Sequence, residues 1–133
     1  MTDPVDILAR TIWGEARGEG KQGMEAVACV IMNRAARPGW WGTSVAQVCL
    51  KSWQFSCWNA DDPNLPKLKA VTPDDPQFAA ALDIARQAVE GDLTDITNGA
   101  TSYYAASTIA PVWARGKTPC ATVGRHLFFN DIH

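Results

Sequence analysis

The stretch DPVDILARTIWGEARGEG, residues 3–20, decides how the chain begins to fold. Asp3 before Pro4, with Asp6 a turn later, reads as an N-cap, a proline at the first helical position and a first-turn acid. Val5, Leu8, Ala9, Ile12 and Ala16 then recur at i, i+3, i+4, i+7 and i+11, one apolar helical face that ends near Gly18 and Gly20.

Outward from there the same spacing returns in Met24, Val27, Ala28, Ile31 and Ala35, a second and largely buried helix that stops before Pro38 and Gly39. A third helix is expected from Asp75 and Pro76, with Phe78, Ala81, Leu82, Ala85 and Val89 on its apolar face and Gly91 as its stop. Residues 39–75 hold aromatics, prolines and aspartates, with one short helical possibility over residues 45–50; irregular segments of that length usually carry function. Residues 101–105 and 126–129 read as strands. The fold class is therefore mainly α (α+β): three principal helices and a small C-terminal β element.

With 133 residues, 47% of them apolar, and a formal charge of -2, the chain is expected to form one domain over residues 1–133 with a core of its own. No block of Lys and Arg marks a nucleic-acid partner. No apolar run approaches the roughly 18 residues of a membrane span, so membrane insertion is not expected. MTDPVD at residues 1–6 lacks the basic and apolar regions of a secretory signal. Synthesis in the cytoplasm is expected, with delivery to any outside target by other means. Cys29, Cys49, Cys57 and Cys120 include no CxxC pair and have only His126 and His133 to help them, so a structural zinc site is not expected. Cys29 reads as core, while Cys49 and Cys57 are able to bridge in an oxidising compartment, a question the sequence leaves open.

The chemistry centres on Glu15. With Ile12 at the middle of the first helix's apolar face, Glu15 falls about 60° to one side, at the border of the buried stripe. It also lies in the last helical turn, where free carbonyls and the negative end of the dipole oppose a carboxylate. Both effects favour the protonated form, and a carboxylic acid able to donate near neutral pH is what glycosidic-bond cleavage requires. Helix geometry alone leaves open a plain surface Glu, or one paired with Arg17 or Lys21. Glu19 is a poor second carboxylate, because i and i+4 on one helix project the same way whereas paired glycosidase acids flank the sugar; it reads as a turn-setting residue. A lone acid suits a route in which it protonates the leaving oxygen and then deprotonates a hydroxyl of the substrate itself.

The run LARTIWGEARGEG at residues 8–20, Gly23, and AVACVIMNR at residues 26–34 resemble the signature of the SleB-type cell wall hydrolases, which include the spore cortex lytic enzymes. The likeness continues through residues 45–49, QFSC at 54–57, residues 80–91, Asn98 to Ala100 before Tyr103 and Tyr104, and VGRHLF at 123–128. The resemblance implies a compact domain like those of lysozyme and lytic transglycosylases, cutting peptidoglycan glycan strands between N-acetylmuramic acid and N-acetylglucosamine, with a 1,6-anhydro product, Glu15 as the catalytic residue, and no metal or cofactor. Spore-cortex members add a secretion signal and a peptidoglycan-binding domain; their absence here points to a phage, prophage or housekeeping role at the cell wall. A monomer is expected.

Gln54, Tyr103, Tyr104 and His126 match motif positions and offer amide, phenol and imidazole groups for acetamido and hydroxyl recognition. Strand alternation sends Tyr103 and Tyr104 to opposite faces, so one of the two is expected in the cleft. His126 serves equally well as a structural histidine. At least one of Phe55, Trp58 and Trp113 is expected to form a sugar-stacking wall, and Asn33 and Arg34 to brace the end of the second helix. Two rivals stand beside this reading: hydrolysis by water, assisted by Asp61, Asp62 or Glu19, and a non-catalytic peptidoglycan-binding module.

Overall fold

The computed structural model describes residues 3–37, 39–51 and 54–132; Pro38 and His133, both used above, lie outside them. Helix α1 runs over Pro4–Ala16 and α2 over Gly20–Ala36, joined by a single 3-10 turn at Arg17–Glu19. Then come the short α3 (Val45–Leu50) and α4 (Leu65–Ala70), and the long α5 (Pro76–Glu90). A three-stranded antiparallel sheet of β1 (Ser102–Ala105), β2 (Ala121–Val123) and β3 (His126–Phe129) closes the chain in the order β1-β3-β2.

The helix boundaries follow from local chemistry. Asp3 accepts a hydrogen bond from the Val5 amide at 3.0 Å, and Asp75 accepts from Gln77 and Phe78 at 2.9 and 3.0 Å, so each aspartate satisfies amides that the first turn leaves free. Gly91 ends α5 in the left-handed conformation, at φ 83°, while the Asp92 amide turns back to the Gln87 carbonyl. Asp75→Ala is expected to cost about 1 kcal/mol, because both amides lose their partner while the core is untouched; urea unfolding checks it.

Helix α1 is the hub, packed against α2, α3, α4 and α5. Leu8 and Ile12 of α1, Val27 and Ile31 of α2, Val48 of α3, Leu68 of α4 and Phe78 and Ile84 of α5 meet in one core. A second cluster of Ala26, Val30, Ala100, Val123 and Phe128 fastens the other face of α2 to the sheet. The low-polarity stripe of α2 thus spreads round the helix because it is covered on both sides.

Two elements were not foreseen. Helix α4 is six residues long, LPKLKA, too short to show a period, and only Leu68 is buried. Strand β2 has three residues and is made by its pairing with β3, Ala121 opposite Phe128 and Val123 opposite His126, across a two-residue turn at Gly124 and Arg125 where Gly124 holds φ 56°.

Candidate active site

The site is assembled by α1, the segment after α3, and β1. Glu15 stands in the last turn of α1, and the neighbouring Gly14 makes room for a second piece of chain: a Cβ at Gly14 would lie 2.8 Å from the Cβ of Cys57. Residues 55–58 press into that gap. Phe55 is buried in the core, and the Trp58 indole donates to the Thr11 hydroxyl at 2.8 Å, which in turn donates to the Ile7 carbonyl at 2.8 Å. So clamped, the Cys57 amide donates to Glu15 Oε2 at 3.4 Å. From the other side, the Tyr103 hydroxyl on β1 donates to Glu15 Oε1, also at 3.4 Å.

Burial is the largest influence on the Glu15 carboxyl and raises its pKa above the ordinary value. Hydrogen bonds from the Cys57 thiol and amide and from Tyr103 pull the other way, and the charge of Asp62 adds to the rise. Glu15 makes no ion pair among the described residues, so the pairing with Arg17 or Lys21 that helix geometry left open is not formed. Arg17 instead lays its guanidinium over the Trp13 ring at 4.1 Å and donates to the Trp13 carbonyl. Burial also holds the Tyr103 phenol well above its usual pKa, which keeps its proton available to the carboxylate.

Glu19 has a different task. Its Oε2 accepts from Arg125 Nη2 at 2.6 Å and its Oε1 from the Arg125 amide at 3.3 Å, with His126 Nδ1 at 3.5 Å. These contacts, the Arg125 hydrogen bond foremost, lower its pKa and tie the α1–α2 turn to the β2–β3 hairpin. The stem of Glu19 also occupies the place a Cβ at Gly23 would take.

Glu15 lines one hollow, and two more are lined by residues of the segments that hold it. A small one of about 50 Å³ is lined by Glu15, Trp13, Ser56, Cys57, Asp62 and Asn64. One of about 490 Å³ lies on the Tyr103 side, lined by Arg34, Trp40, Gln54, Ser102, Tyr103 and Trp113. A third, of about 360 Å³, has Lys51, Phe55, Trp58, Asn59 and Asp61 in its walls. Amide, hydroxyl, phenol and indole groups near one protonatable acid suit a hydroxyl-rich ligand with apolar ring faces, and Arg34 and Lys51 add positive charge to the walls.

Of the residues singled out from the sequence, Glu15 and Tyr103 are brought together, and Gln54 lines the 490 Å³ hollow with Tyr103. Trp113 lines that hollow and Trp58 the 360 Å³ one. Phe55 is 2% exposed, so most of its ring belongs to the core rather than to a wall. Tyr104 turns to the other face of the sheet, against Phe129 and Trp113, and is not beside Glu15. His126 packs edge-on against Tyr103 and faces Glu19, a bracing position. Asn33 braces as expected, donating to Asp95 and to the Ala100 carbonyl. All four cysteines are free, Cys49 and Cys57 included. Among the described residues no three or more His, Cys, Asp or Glu side chains form a group able to hold a metal ion.

The cell wall hydrolase family model matches residues 18–129. The chain belongs to the cell wall hydrolase family. Among the relatives of this family member are the spore cortex-lytic enzymes of Halalkalibacterium halodurans, 31% identical over 95% of the chain and 34% of that protein, and of Bacillus subtilis, 28% identical over 93% of the chain and 36% of that protein. The chain spans about a third of the length of these curated relatives. Its fold is that of the catalytic domain of the germination-specific lytic transglycosylase SleB from Bacillus anthracis, with a TM-score of 0.73, 24% identity and coverage of 96% of this chain and 94% of that one. The catalytic domain of the Bacillus cereus SleB protein superposes similarly, with a TM-score of 0.70, 24% identity and coverage of 96% and 90%. The mainly helical architecture expected from the sequence is thus the architecture observed, with its small antiparallel sheet at the C-terminal end.

The Cys57 amide is the part of the site that sequence reasoning missed. A backbone donor carries no residue signature, and its trace is Gly14, whose missing side chain admits it.

Proposed function

We propose that this cell wall hydrolase cleaves peptidoglycan glycan strands between N-acetylmuramic acid and N-acetylglucosamine as a lytic transglycosylase, with Glu15 as acid and then base. The observation that carries the reading is a half-buried carboxyl of raised pKa, held by the Cys57 amide and Tyr103 hydroxyl among sugar-compatible hollows. Family membership supports the substrate class. In the first half of the reaction Glu15 gives its proton to the glycosidic oxygen as the bond from that oxygen to muramic C1 breaks. In the second the Glu15 carboxylate takes the proton of the muramic C6 hydroxyl while O6 bonds to C1, closing the 1,6-anhydro ring. Donation by Cys57 and Tyr103 steadies the carboxylate between the two halves.

A second reading, hydrolysis by water, draws on one observation: Asp62 lines the same small hollow as Glu15, while Asp61 lines another and Glu19 is bound to Arg125. Mass spectrometry of fragments released from purified peptidoglycan separates the two. Anhydro-muropeptides, one water lighter than reducing-end products, are expected from the wild type and not from Glu15→Gln. Reducing-end products would replace the transglycosylase reading with hydrolysis, and sacculus binding without release of fragments would favour a non-catalytic module.

A further inference from the structure

Among the described residues Arg34 is the only fully buried charged side chain, 7% exposed. Its Nε donates to the Thr101 carbonyl at 2.6 Å, but Nη1 is buried without a hydrogen-bond partner and no carboxylate pairs with the group among the described residues. The Trp41 and Phe55 rings lie 5.6 and 5.5 Å from the guanidinium carbon, an environment that tolerates a cation without neutralising it. Burial accordingly pulls the Arg34 pKa down, with only the Tyr103 phenol and the Cys49 thiol acting against it. A buried cation lacking a counter-charge is costly, more than a brace on one carbonyl requires. Arg34 lines the 490 Å³ hollow, and Tyr103, which donates to Glu15, lines it too. Tyr103 thus touches the acid and shares a hollow with the cation.

We propose that Arg34 binds a carboxylate carried by the muramic acid unit beside the scissile bond, and so makes the site selective for anionic glycan. This rests on the glycan-cleaving reading above. With Nε held by the Thr101 carbonyl, the two terminal nitrogens of the guanidinium are the donors left for a carboxylate, and Nη1, buried, is reached only by a group that displaces its cover. N-acetylglucosamine is neutral, so the charge has to come from the muramic unit, in one of two ways. Where no peptide is attached, the 3-O-lactyl group itself ends in a carboxylate. Where a peptide stem is attached, the lactyl carboxylate has become an amide and the stem supplies its own.

The test compares initial cleavage rates on three purified polymers: stem-free strands with the lactyl carboxylate free, the same strands with it converted to a methylamide, and stem-bearing strands. Wild type is expected to cleave the free-lactyl polymer about ten- to a hundredfold faster than the methylamide, the worth of one charge-assisted hydrogen bond, and Arg34→Met to bring the two rates together. A stem-bearing polymer cut fastest, with both stem-free polymers equally slow, would support the same carboxylate contact with the stem as its source. Equal wild-type rates on all three would overturn the proposal even if Arg34→Met does not fold, since that comparison changes only the substrate. Cleavage of none of the three would instead remove the glycan-cleaving reading itself.

Discussion

Glu15→Gln is expected to lower the rate of glycan cleavage about a hundred- to ten-thousandfold while raising the melting temperature at neutral pH. Glutamine has nearly the shape of the acid, and its one oxygen can still accept from the Cys57 amide while its NH2 donates to the Tyr103 hydroxyl oxygen, but it has no acidic proton to give, and positioned general acid–base catalysis contributes about that factor. The stability gain follows from the sign of the pKa shift. Burial raises the Glu15 pKa in the folded chain above its ordinary 4.5, so between the unfolded and folded values the native state holds more protons than the unfolded state. Stability therefore falls as pH rises through that window, and at neutral pH the fold bears the whole cost of keeping the ionised form partly out of water. Gln bears none of it. The melting difference should be present at neutral pH and vanish well below pH 4.5, where the wild-type carboxyl is protonated in both states. Thermal unfolding at the two pH values, with rates on purified peptidoglycan, measures both effects. A variant that cleaves within a few fold of wild type would take the acid's role away from Glu15.

Gly14→Ala is expected to cost little stability and much activity. The new methyl would lie 2.8 Å from Cys57 Cβ, 3.1 Å from Cys57 Sγ and 3.1 Å from Leu68 Cδ1, closer than ordinary contact. Overpacking of this kind costs about 1–3 kcal/mol, offset by about 1 kcal/mol because alanine suits a helix better than glycine, so the net loss is about 0–2 kcal/mol. The segment that must yield is held on both sides, by buried Phe55 and by the Trp58–Thr11 hydrogen bond. Its Cys57 amide is already 3.4 Å from Glu15, and a further shift of a few tenths of an ångström ends the bond. Misplacement on the ångström scale lowers rates by up to about a hundredfold, so kcat is expected to fall about ten- to a hundredfold. Gly18→Ala is the control, since nothing lies within 4 Å of a Cβ there. If Gly14→Ala retains full kcat with its structure intact, the Cys57 amide has no part in catalysis.

The three long helices were legible residue by residue. Asp3, Asp75 and Gly91 cap the helix ends assigned to them, and the apolar spacing marks the buried faces of α1 and α2 and most of that of α5, where Val89, expected on the apolar face, is exposed and Ile84 and Ala88 are buried instead. Those features are local, set by hydrogen bonds to the next turn and by side chains three and four residues apart, so a linear reading contains them. The border position of Glu15 was likewise legible from helix geometry, which left a plain surface carboxylate open as well; its burial and raised pKa come from the packed chain. Helix α4 and strand β2 were not, since neither is long enough for a period and each owes its form to what it packs or pairs with.

By itself, then, the sequence determined a mainly helical chain with a small C-terminal sheet, the family to which it belongs, and the acid at the end of the first helix. Tertiary structure alone decided what surrounds that acid. Cys57 lies 42 residues from Glu15 and Tyr103 lies 88 away, and no short-range preference relates positions so far apart. The same holds for Arg34, whose place at the end of α2 foretold a brace, and whose lack of a counter-charge among the described residues emerges only when the walls of the hollow close around it. A side chain's partners depend on which surfaces the core brings together, and that is a property of the whole packed chain.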